Sequence, residues 1–451
     1  MSVAPNPTHS LGRSVDSASR PFSDYAAVTA YLYAQKARGP RFGVERMRGL
    51  AAALGHPERS YPVIHVAGTN GKGSVSAMLD AIFQAAGWRT GLFTSPHLVQ
   101  LGERVQVNRQ ILTAEAMIAY TNEVRVTCAA AGVAADAEDY PTFFEFMTAM
   151  AFLQFKRQCV DLATIEVGMG GRLDATNVVD PLVTVITSIG LDHCVELGAT
   201  FEEIAREKAG IIKPGRPIVL GRVPLAAEQI IRAIAAERGA VVHSVREIYG
   251  EDLGCYPQTN LAGDYQRWNA ATATLVAQVM PKEWRLTAPV IAQGLTQVNW
   301  PGRWESIKLE DRLLILDASH NPEGVAVLAE NLQQLIATTG RRPLIVAGAL
   351  GEFRARAMLE VLLRYAQEIY LVTPRQERAC PGEVMRAFVP AAERHRVHVT
   401  SLDKIFPEPG ACVIGNSTDP VVVTGSIYVL GEVMERLALK RALPASGEDR
   451  G

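Results

Sequence analysis

Residues 63–83 read VIHVAGTNGKGSVSAMLDAIF and contain the pattern that decides the fold. A β-branched run ends at Ala67, a glycine-rich loop extends from Gly68 to Ser74, and apolar residues then repeat at helical spacing. Glycines let the backbone approach phosphates closely, and the helix N-terminus supplies free N–H groups. In such a loop Lys72 reaches the transferred phosphate, and the Ser74 hydroxyl lies where a metal ion is held.

The spacing of this loop departs from the commonest phosphate loop, because Gly73 separates Lys72 from Ser74. A glycine turn with a solvated lysine is the simpler alternative, but the strand before and the helix after favour phosphate binding. Dinucleotide binding is weaker still, since the glycines at 168–171 match only part of that fingerprint.

The alternation of β-branched runs and helical patterns continues along the chain and predicts an α/β fold with a mostly parallel sheet. A breaker cluster, Trp300-Pro301-Gly302, precedes a second α/β series and predicts a domain boundary. Ligands of such sheets bind at the carboxyl ends of the strands. Further strands are predicted at 162–167, 183–186, 313–316, 343–346, 369–372 and 420–423.

Composition excludes several classes of protein. The 451 residues include 45 Lys plus Arg and 47 Asp plus Glu, so the net charge is -2. This balance gives no sign of the basic surface that binds nucleic acid or a membrane. No apolar run approaches the roughly 20 residues of a membrane-spanning helix. The six cysteines have no C-x-x-C spacing, and the first twenty residues lack the apolar core of a secretory signal. We therefore expect a reduced, cytoplasmic compartment.

Three polar side chains stand where an apolar residue is expected or where strands end. Glu166 closes an apolar strand, and a carboxylate there is costly to bury unless it binds metal or a cation. His193 follows another strand, although a lone histidine is more often structural. Lys208 shares the apolar stripe of Ile204 and Ile212 in a helix predicted from 201 to 213. The pattern alone favours an ion pair for this lysine.

Together these motifs resemble the folylpolyglutamate synthase/dihydrofolate synthase family of the Mur ligase superfamily. The resemblance covers most of the chain in the family's order. The matching stretches are GTNGKGS at Gly68, TSPHL at Thr94, TFFEF at Thr142, EVGMGGRLDATNVV at Glu166, SIGLDH at Ser188, LGATFEEIAREKAGIIKPG at Leu197, NA at Asn269, PGRWE at Pro301 and LDASHNP at Leu316.

The resemblance implies a P-loop ATPase domain at residues 21–299 and a smaller Rossmann-like α/β domain at 300–442, between disordered tails at 1–20 and 443–451. It implies a monomer that joins L-glutamate to dihydropteroate or reduced folates through an acyl phosphate, using ATP and Mg²⁺. The implied catalytic residues are Lys72, Glu166, His193, Lys208 and Arg303.

The resemblance also assigns the ligands of each site. ATP is implied to contact Thr69, Asn70, Gly71, Lys72, Gly73, Ser74, Asn269, Arg303, Asp317 and His320. The implied metal set is Ser74, Ser95, Glu166, His193 and Lys208, with Lys208 carbamylated to N6-carboxylysine. Three patches are implied for the pterin: Pro40, Arg41 and Phe42; Thr142, Phe143, Phe144 and Glu145; Leu173, Asp174 and Ala175.

Two departures from the family pattern flank the predicted adenosine site: Tyr265 stands where the family often has histidine, and Ser319 lies in a segment that usually reads DGAHNP. Three alternatives remain open: folylpolyglutamate synthesis alone, a Mur-type ligase of peptidoglycan precursors, and a nucleotide-binding module without catalysis. Gly73 and the LDATN segment argue against the second, and the full set of charged site residues argues against the third.

Overall fold

The structure, a computed structural model, describes residues 20–37, 39, 41–309 and 312–437. An eight-stranded sheet within residues 63–244 and a six-stranded sheet within residues 305–424 organise this part of the chain. Both are mostly parallel and flanked by helices, which confirms the predicted α/β class, a larger domain followed by a smaller Rossmann-like α/β domain. The predicted tails at 1–20 and 443–451 lie outside the described residues except for Arg20, and Pro40 also lies outside them.

The first sheet has the spatial order β4-β3-β2-β5-β1-β6-β7-β8. Its pairs are parallel except for β2–β3 and β3–β4. Every residue of β1 and β5 is buried, because helices cover both faces of the central strands. The strands are β1 Val63–Ala67, β2 Thr90–Phe93, β3 Val105–Val107, β4 Gln110–Ile111, β5 Leu162–Glu166, β6 Val183–Ile186, β7 Ile218–Leu220 and β8 Val242–Ser244.

Eleven α-helices accompany this sheet within the described residues. They are α1 Tyr25–Ala37, α2 Glu45–Ala53, α3 Lys72–Ala85, α4 Ala114–Ala130, α5 Phe143–Arg157, α6 Cys194–Leu197, α7 Phe201–Ala209, α8 Leu225–Glu237, α9 Val245–Tyr249, α10 Asp264–Val279 and α11 Ala288–Leu295. The prediction of a helix to residue 213 was too long, since α7 ends at Ala209 and Gly210 is its C-cap.

The second sheet has the order β13-β12-β11-β14-β10-β9, and only the edge pair β9–β10 is antiparallel. Asn321 caps the N-terminus of α12, which begins at Pro322 as predicted. The strands are β9 Glu305–Lys308, β10 Leu313–Leu316, β11 Leu344–Ala347, β12 Glu368–Leu371, β13 Val397–Val399 and β14 Val421–Thr424. The helices are α12 Pro322–Thr339, α13 Glu352–Tyr365, α14 Gly382–Ala387, α15 Leu402–Ile405 and α16 Ile427–Arg436.

The topology places the predicted site residues at the carboxyl ends of strands in the two sheets. Strands β2, β5, β1 and β6 are parallel neighbours, so their carboxyl ends meet at one edge of the first sheet. Ser95, Glu166, the phosphate loop and His193 lie at or just beyond these ends. In the second sheet, Asp317 directly follows β10. The two edges border the same cleft between the domains.

Candidate active site

A cavity of about 520 Å³ lies between the domains. Its walls combine the carboxyl ends of both sheets with parts of α10 and α12. Every residue predicted to bind ATP or metal lines it, namely Thr69, Asn70, Gly71, Lys72, Gly73, Ser74, Ser95, Glu166, His193, Lys208, Asn269, Arg303, Asp317 and His320. The cavity also exceeds the lower size limit of ordinary small-molecule sites, about 300 Å³.

The phosphate loop joins β1 to α3 and is held by the segment after β6. Gly71, with φ of 84°, is the N-cap of α3, and Lys72 is the first helical residue. The backbone N–H of Asn70 donates to Ser188 Oγ at 2.8 Å, and the Thr187 hydroxyl donates to the Asn70 carbonyl at 2.6 Å. The free N–H groups of the first helical turn therefore face the cavity, where an anion is stabilised.

The side chains of Trp300 and Asn269 pack closely against two glycines of this loop. A Cβ on Gly73 would lie 2.6 Å from the Trp300 ring, and a Cβ on Gly71 would overlap the Asn269 amide. Gln266 is fully buried and donates to Ser74 Oγ at 3.3 Å. The loop thus packs against α10 and against the segment that enters the second domain, and Trp300 leaves no room for a side chain at position 73.

Glu166 is a buried carboxylate that faces the cavity. Only 3% of its surface is exposed, and its Oε2 accepts a hydrogen bond from the Ser95 backbone N–H at 3.2 Å. Burial raises the pKa of Glu166 to about 7, although the charge of Lys72 opposes that shift. Within the described part of the chain, no cation lies within 4 Å of this carboxylate. A cation in the cavity would therefore relieve the cost of burying it.

Lys208 and Lys72 converge on one backbone carbonyl. The Nζ atoms of both lysines donate to the oxygen of Gly68 at 3.0 Å. Lys208 is 4% exposed, and burial together with the charge of Lys72 lowers the pKa of Lys208 to about 7. No described carboxylate lies within 4 Å of the Lys208 ammonium, so the ion pair favoured by the sequence pattern is not formed with these residues.

His193 lies at the mouth of the cavity, beside a polar contact between the domains. It is the left-handed N-cap of α6, and burial lowers its pKa. The preceding Asp192 contacts Arg354 at 2.6 Å and Asn321 at 3.2 Å, both in the second domain. Burial opposes ionisation of Asp192, but the charges of His193 and Arg354 outweigh it and lower the Asp192 pKa to about 2.

The second domain contributes Arg303, Asp317 and His320 to the cavity. Asp317 is 2% exposed, and its two oxygens accept the backbone N–H groups of Trp304 at 3.1 Å and Ser319 at 3.0 Å. Burial raises the pKa of Asp317. Ser319, one of the two departures from the family pattern, therefore keeps a backbone contact with Asp317.

The three predicted pterin patches adjoin one another. Arg46 joins the first patch to the second, because its guanidinium contacts Glu145 at 3.1 Å and the Arg41 carbonyl at 2.8 Å. The ring of Phe144 lies directly over Gly168, whose loop leads to Leu173. Thr142 and Phe143 begin α5, and Phe42 is 46% exposed. Gly168 itself lines the cavity, so these patches continue from the phosphate site.

Glu145 and Asp174 are largely occupied by contacts within the protein. Glu145 forms a capping box with Thr142 in addition to its ion pair. Asp174 accepts hydrogen bonds from the Met169 backbone at 2.9 Å and from the Thr176 backbone and hydroxyl at 2.9 and 2.5 Å. Ala175 is buried beside it in the following 3₁₀ turn. The oxygens of these two carboxylates are therefore used mainly to hold the patches together and less to contact a ligand.

The sequence patterns did not identify several residues of the cavity. Trp268 lines it beneath the guanidinium of Arg222, which lies 4.6 Å from the ring. Tyr265, named from the sequence as a departure beside the predicted adenosine site, lines the same wall with its ring against Gly263. The only available signal was position, since Trp268 directly precedes Asn269. Among the described residues, no group of three or more His, Cys, Asp or Glu is placed to hold a metal ion.

None of the described helices has the length and the apolar character needed to cross a membrane. The family described as Mur ligase middle domain matches residues 66–247. The family described as Mur ligase, glutamate ligase domain, matches residues 302–427. These two matches coincide with the two sheets.

Similarity to individual proteins extends along almost the whole chain. A dihydrofolate synthase/folylpolyglutamate synthase of Bacillus subtilis is 36% identical, over 92% of this chain and 100% of the relative. The solved folylpolyglutamate synthase of Mycobacterium tuberculosis with ADP and AMPPCP is 30% identical, with a TM-score of 0.77 over 91% of this chain and 98% of that one. A bifunctional folylpolyglutamate synthase/dihydrofolate synthase solved with Mn, AMPPNP and L-glutamate is also 30% identical, with a TM-score of 0.76 over 93% and 99%.

The phosphate loop, the two sheets and the cleft between them thus agree with a likeness that covers nine-tenths of the sequence, and the chain belongs to the dihydrofolate synthase/folylpolyglutamate synthase family of Mur ligases.

Proposed function

We propose that this chain is an ATP-dependent ligase that joins L-glutamate to dihydropteroate and to reduced folates through an acyl phosphate. The observation that carries the proposal is that a phosphate loop, a buried carboxylate and a buried lysine line one cavity together with polar residues of the second domain. The relatives named for folate ligation match along both domains, which favours this function over ligation of peptidoglycan precursors.

Amide formation from a carboxylate requires a better leaving group than hydroxide. In the proposed reaction the acceptor carboxylate attacks the γ-phosphate of ATP, ADP leaves, and the amine of glutamate then displaces phosphate from the acyl phosphate. Lys72 and Arg303 neutralise the charge of the two anions that must meet, and the N-terminus of α3 binds the phosphates. Closure of the two domains excludes the water that would hydrolyse the acyl phosphate.

We propose that Asn269, Arg303, Asp317 and His320 contact ATP from the side opposite the phosphate loop. Asn269 already lies against Gly71 of that loop. Arg303, Asp317 and His320 reach the same cavity from the second domain. Nucleotide binding would therefore draw the two domains together.

Ser74, Ser95, Glu166, His193 and Lys208 are the residues we propose for a Mg²⁺ site. The buried, unpaired carboxylate of Glu166 fits a hard cation, and hydroxyl oxygens are suitable companions for it. Magnesium supplies charge neutralisation of the ATP phosphates when it is bound. The carboxylate of Glu166 and the imidazole of His193 would hold it on the loop side of the cavity.

We propose that Lys208 is carbamylated. Its neutral amine would add to CO₂ and release one proton, which gives an N6-carboxylysine with one negative charge. The modification would replace two amino groups that converge on the Gly68 carbonyl by an ion pair between the carbamate and Lys72. It would also add an anion to a metal set in which Glu166 is the only carboxylate.

The proposed acceptor site consists of the three pterin patches defined by Pro40–Phe42, Thr142–Glu145 and Leu173–Ala175. Phe144 would present its ring to the heterocycle, and Phe42 is exposed enough to contact it. Since the patches lead to Gly168 at the cavity, an acceptor bound there would extend its carboxylate toward Lys72.

We further propose domains at residues 21–299 and 300–442 and a monomeric, cytoplasmic protein that acts on small molecules, without a nucleic-acid or membrane partner. The two sheets fit this division, because the first ends at Ser244 and the second begins at Glu305. All six cysteines are thiols, as in a reducing compartment.

The proposed function is tested by measuring ADP release with a panel of acceptors in the presence of glutamate. We expect glutamate-dependent ADP release with both dihydropteroate and tetrahydrofolate. Release with tetrahydrofolate alone would limit the function to polyglutamate synthesis. Release with a muramyl-peptide precursor but with neither folate acceptor would refute the proposal.

A further inference from the structure

Side chains from both domains surround the ring of Phe143 at the start of α5. The Phe143 cluster, as we call it, consists of Phe143, Tyr33, Lys36, His97, Arg104 and Tyr428. The ring of Tyr33 stacks on Phe143 at 6.0 Å with an interplanar angle of 8°. The Lys36 ammonium lies 5.6 Å from the Tyr33 ring, 6.0 Å from Phe143 and 5.6 Å from Tyr428 of the second domain.

Two cations of this cluster have no anionic partner among the described residues. The guanidinium of Arg104 lies 5.2 Å from the Phe143 ring, and Arg104 is 6% exposed. Neither Arg104 nor Lys36 has a carboxylate within 4 Å in the described part of the chain. Two cations on one aromatic ring repel each other, and an anion that contacted both would relieve this repulsion. Lys36 is partly buried, and the charges of Glu166 and Glu103 act on Arg104 from beyond 4 Å. This arrangement is therefore suited to bind an anion.

The hydrogen bonds of Arg104 leave most of its donors available. A guanidinium has five N–H donors, and here Nε donates to His97 Nδ1 at 2.9 Å. Because that nitrogen accepts, His97 carries its proton on Nε2, which lies 3.4 Å from the Tyr33 hydroxyl. His97 and Tyr33 thus orient Arg104 without occupying its terminal nitrogens. The planar fork matches a carboxylate.

The cluster lies between the proposed acceptor patches and the reaction edge. Phe143 belongs to the second pterin patch. On the other side, His97 lines a small cavity of about 30 Å³ together with Ser95, Glu166 and Arg303. An acceptor that extends from the pterin patches toward the phosphate loop would therefore pass Lys36 and Arg104.

We propose that Lys36 and Arg104 form a carboxylate subsite for the α-carboxylate of the glutamyl residue that a folate acceptor already carries. The inference rests on the proposed function. A folate has this second carboxylate beside the γ-carboxylate that reacts, whereas a pteroate has none. The subsite therefore recognises folate acceptors and contributes nothing to pteroate acceptors. The incoming glutamate also carries carboxylates. Lys36 and Arg104 are assigned to the acceptor because both lie over the ring of Phe143, which belongs to the second pterin patch.

The test compares tetrahydrofolate with tetrahydropteroate, which lacks the glutamyl residue, by calorimetric titration in the presence of AMPPCP. Lys36→Met keeps the apolar stem over the rings and removes the charge. Arg104→Lys keeps the charge and removes the fork, so it is the second variant. We expect each to raise the Kd for tetrahydrofolate about tenfold and the Kd for tetrahydropteroate less than twofold, since a hydrogen bond to a charged group contributes at about this level.

Arg157→Met is the matched control, because Arg157 also lies over an aromatic ring, that of Tyr120 at 4.9 Å, but pairs with Glu123. It should leave both constants unchanged. Equal changes for the two ligands, no change for either, or a rise confined to the KM for glutamate would each overturn the subsite. Glutamate-dependent ADP release by the wild type is measured in parallel: its absence refutes the ligase proposal, whereas an active wild type with unselective variants refutes the subsite alone.

Discussion

Arg354 offers a direct test of how the two domains meet. Its guanidinium lies 2.6 Å from Asp192 Oδ1 across the cleft, with 23% of the Arg354 side chain and 11% of the Asp192 side chain exposed. Asn321 Nδ2 at 3.2 Å and His320 Nε2 at 3.8 Å also contact Asp192. All three partners belong to the second domain. Arg354→Ala should therefore weaken closure at the edge that carries His193.

The size of the effect follows from the geometry of the pair. Two unit charges about 4 Å apart attract by about 4 kcal/mol at an effective dielectric constant of about 20. Desolvation and the ordering of a long side chain offset much of this attraction, and Asn321 and His320 still contact Asp192. We expect the closed arrangement to lose about 1–2 kcal/mol, which corresponds to an equilibrium constant for closure about five- to thirtyfold lower.

The assay combines initial rates with small-angle X-ray scattering in the presence of AMPPNP. The variant should show a larger radius of gyration than the wild type, a lower kcat for ADP release and a higher KM for ATP. Arg356→Ala is the control, because Arg356 pairs with Glu352 of the same helix at 3.7 Å and both side chains are more than half exposed. If Arg354→Ala matches this control in both measurements, the contact does not contribute to closure.

Four further changes test the site and the fold. Lys72→Ala should lower the initial rate of ligation by at least about a hundredfold with an unchanged melting temperature, because the lysine acts on phosphate charge; near-normal turnover would refute the role of the loop. Asp317→Ala should raise the KM for ATP about tenfold and the KM for glutamate less than twofold, in steady-state kinetics with each substrate varied; an unchanged KM for ATP would move the nucleotide contact to a neighbour. Lys208→Ala should lose most activity and regain part of it with acetate, and intact mass should show an extra carboxyl group on the wild type; an unmodified lysine in an active enzyme would refute the carbamate. Finally, burial lowers the pKa of His65 to about 3, so above pH 6.5 the neutral ring costs nothing. Between pH 6.5 and 3 the unfolded chain binds a proton that the folded chain does not. As the pH is lowered through this range, the free energy of unfolding measured by urea titration should therefore fall by about 1 kcal/mol per pH unit more for the wild type than for His65→Gln; parallel pH dependences would contradict the shift.

The local elements could be predicted from the sequence because their signals are local. Strand β6 was predicted with its observed bounds, and β5 differs from its prediction by one residue. Breaker residues mark helix ends less reliably. The helix α7 ends at Ala209, before the predicted stop at Pro214, because the residues from Gly210 onward form turns and irregular backbone. That the strand-end residues would meet at one edge followed from parallel pairing alone.

Contacts between distant segments could not be predicted in this way. Trp300 against Gly73 and Gln266 against Ser74 join residues about two hundred positions apart that share no periodicity. The Arg354 contact depends on how the second sheet docks on the first. Patterns within single helices and strands do not encode these relations, so the wall formed by α10 and the contacts between the domains emerged only from the structure.

The phosphate loop owes its shape to both domains. Asn70 and Asn321 exchange amide hydrogen bonds at 3.3 and 2.9 Å, which joins the loop to the cap of α12. Asn321 also bonds Asp192, so the loop, the edge beside His193 and the second domain share one residue. Movement of the second domain must therefore disturb the loop itself. Because Asn321 joins both the loop and the edge beside His193 to the second domain, closure of that domain would bind phosphate and exclude water together, as the proposed acyl phosphate requires.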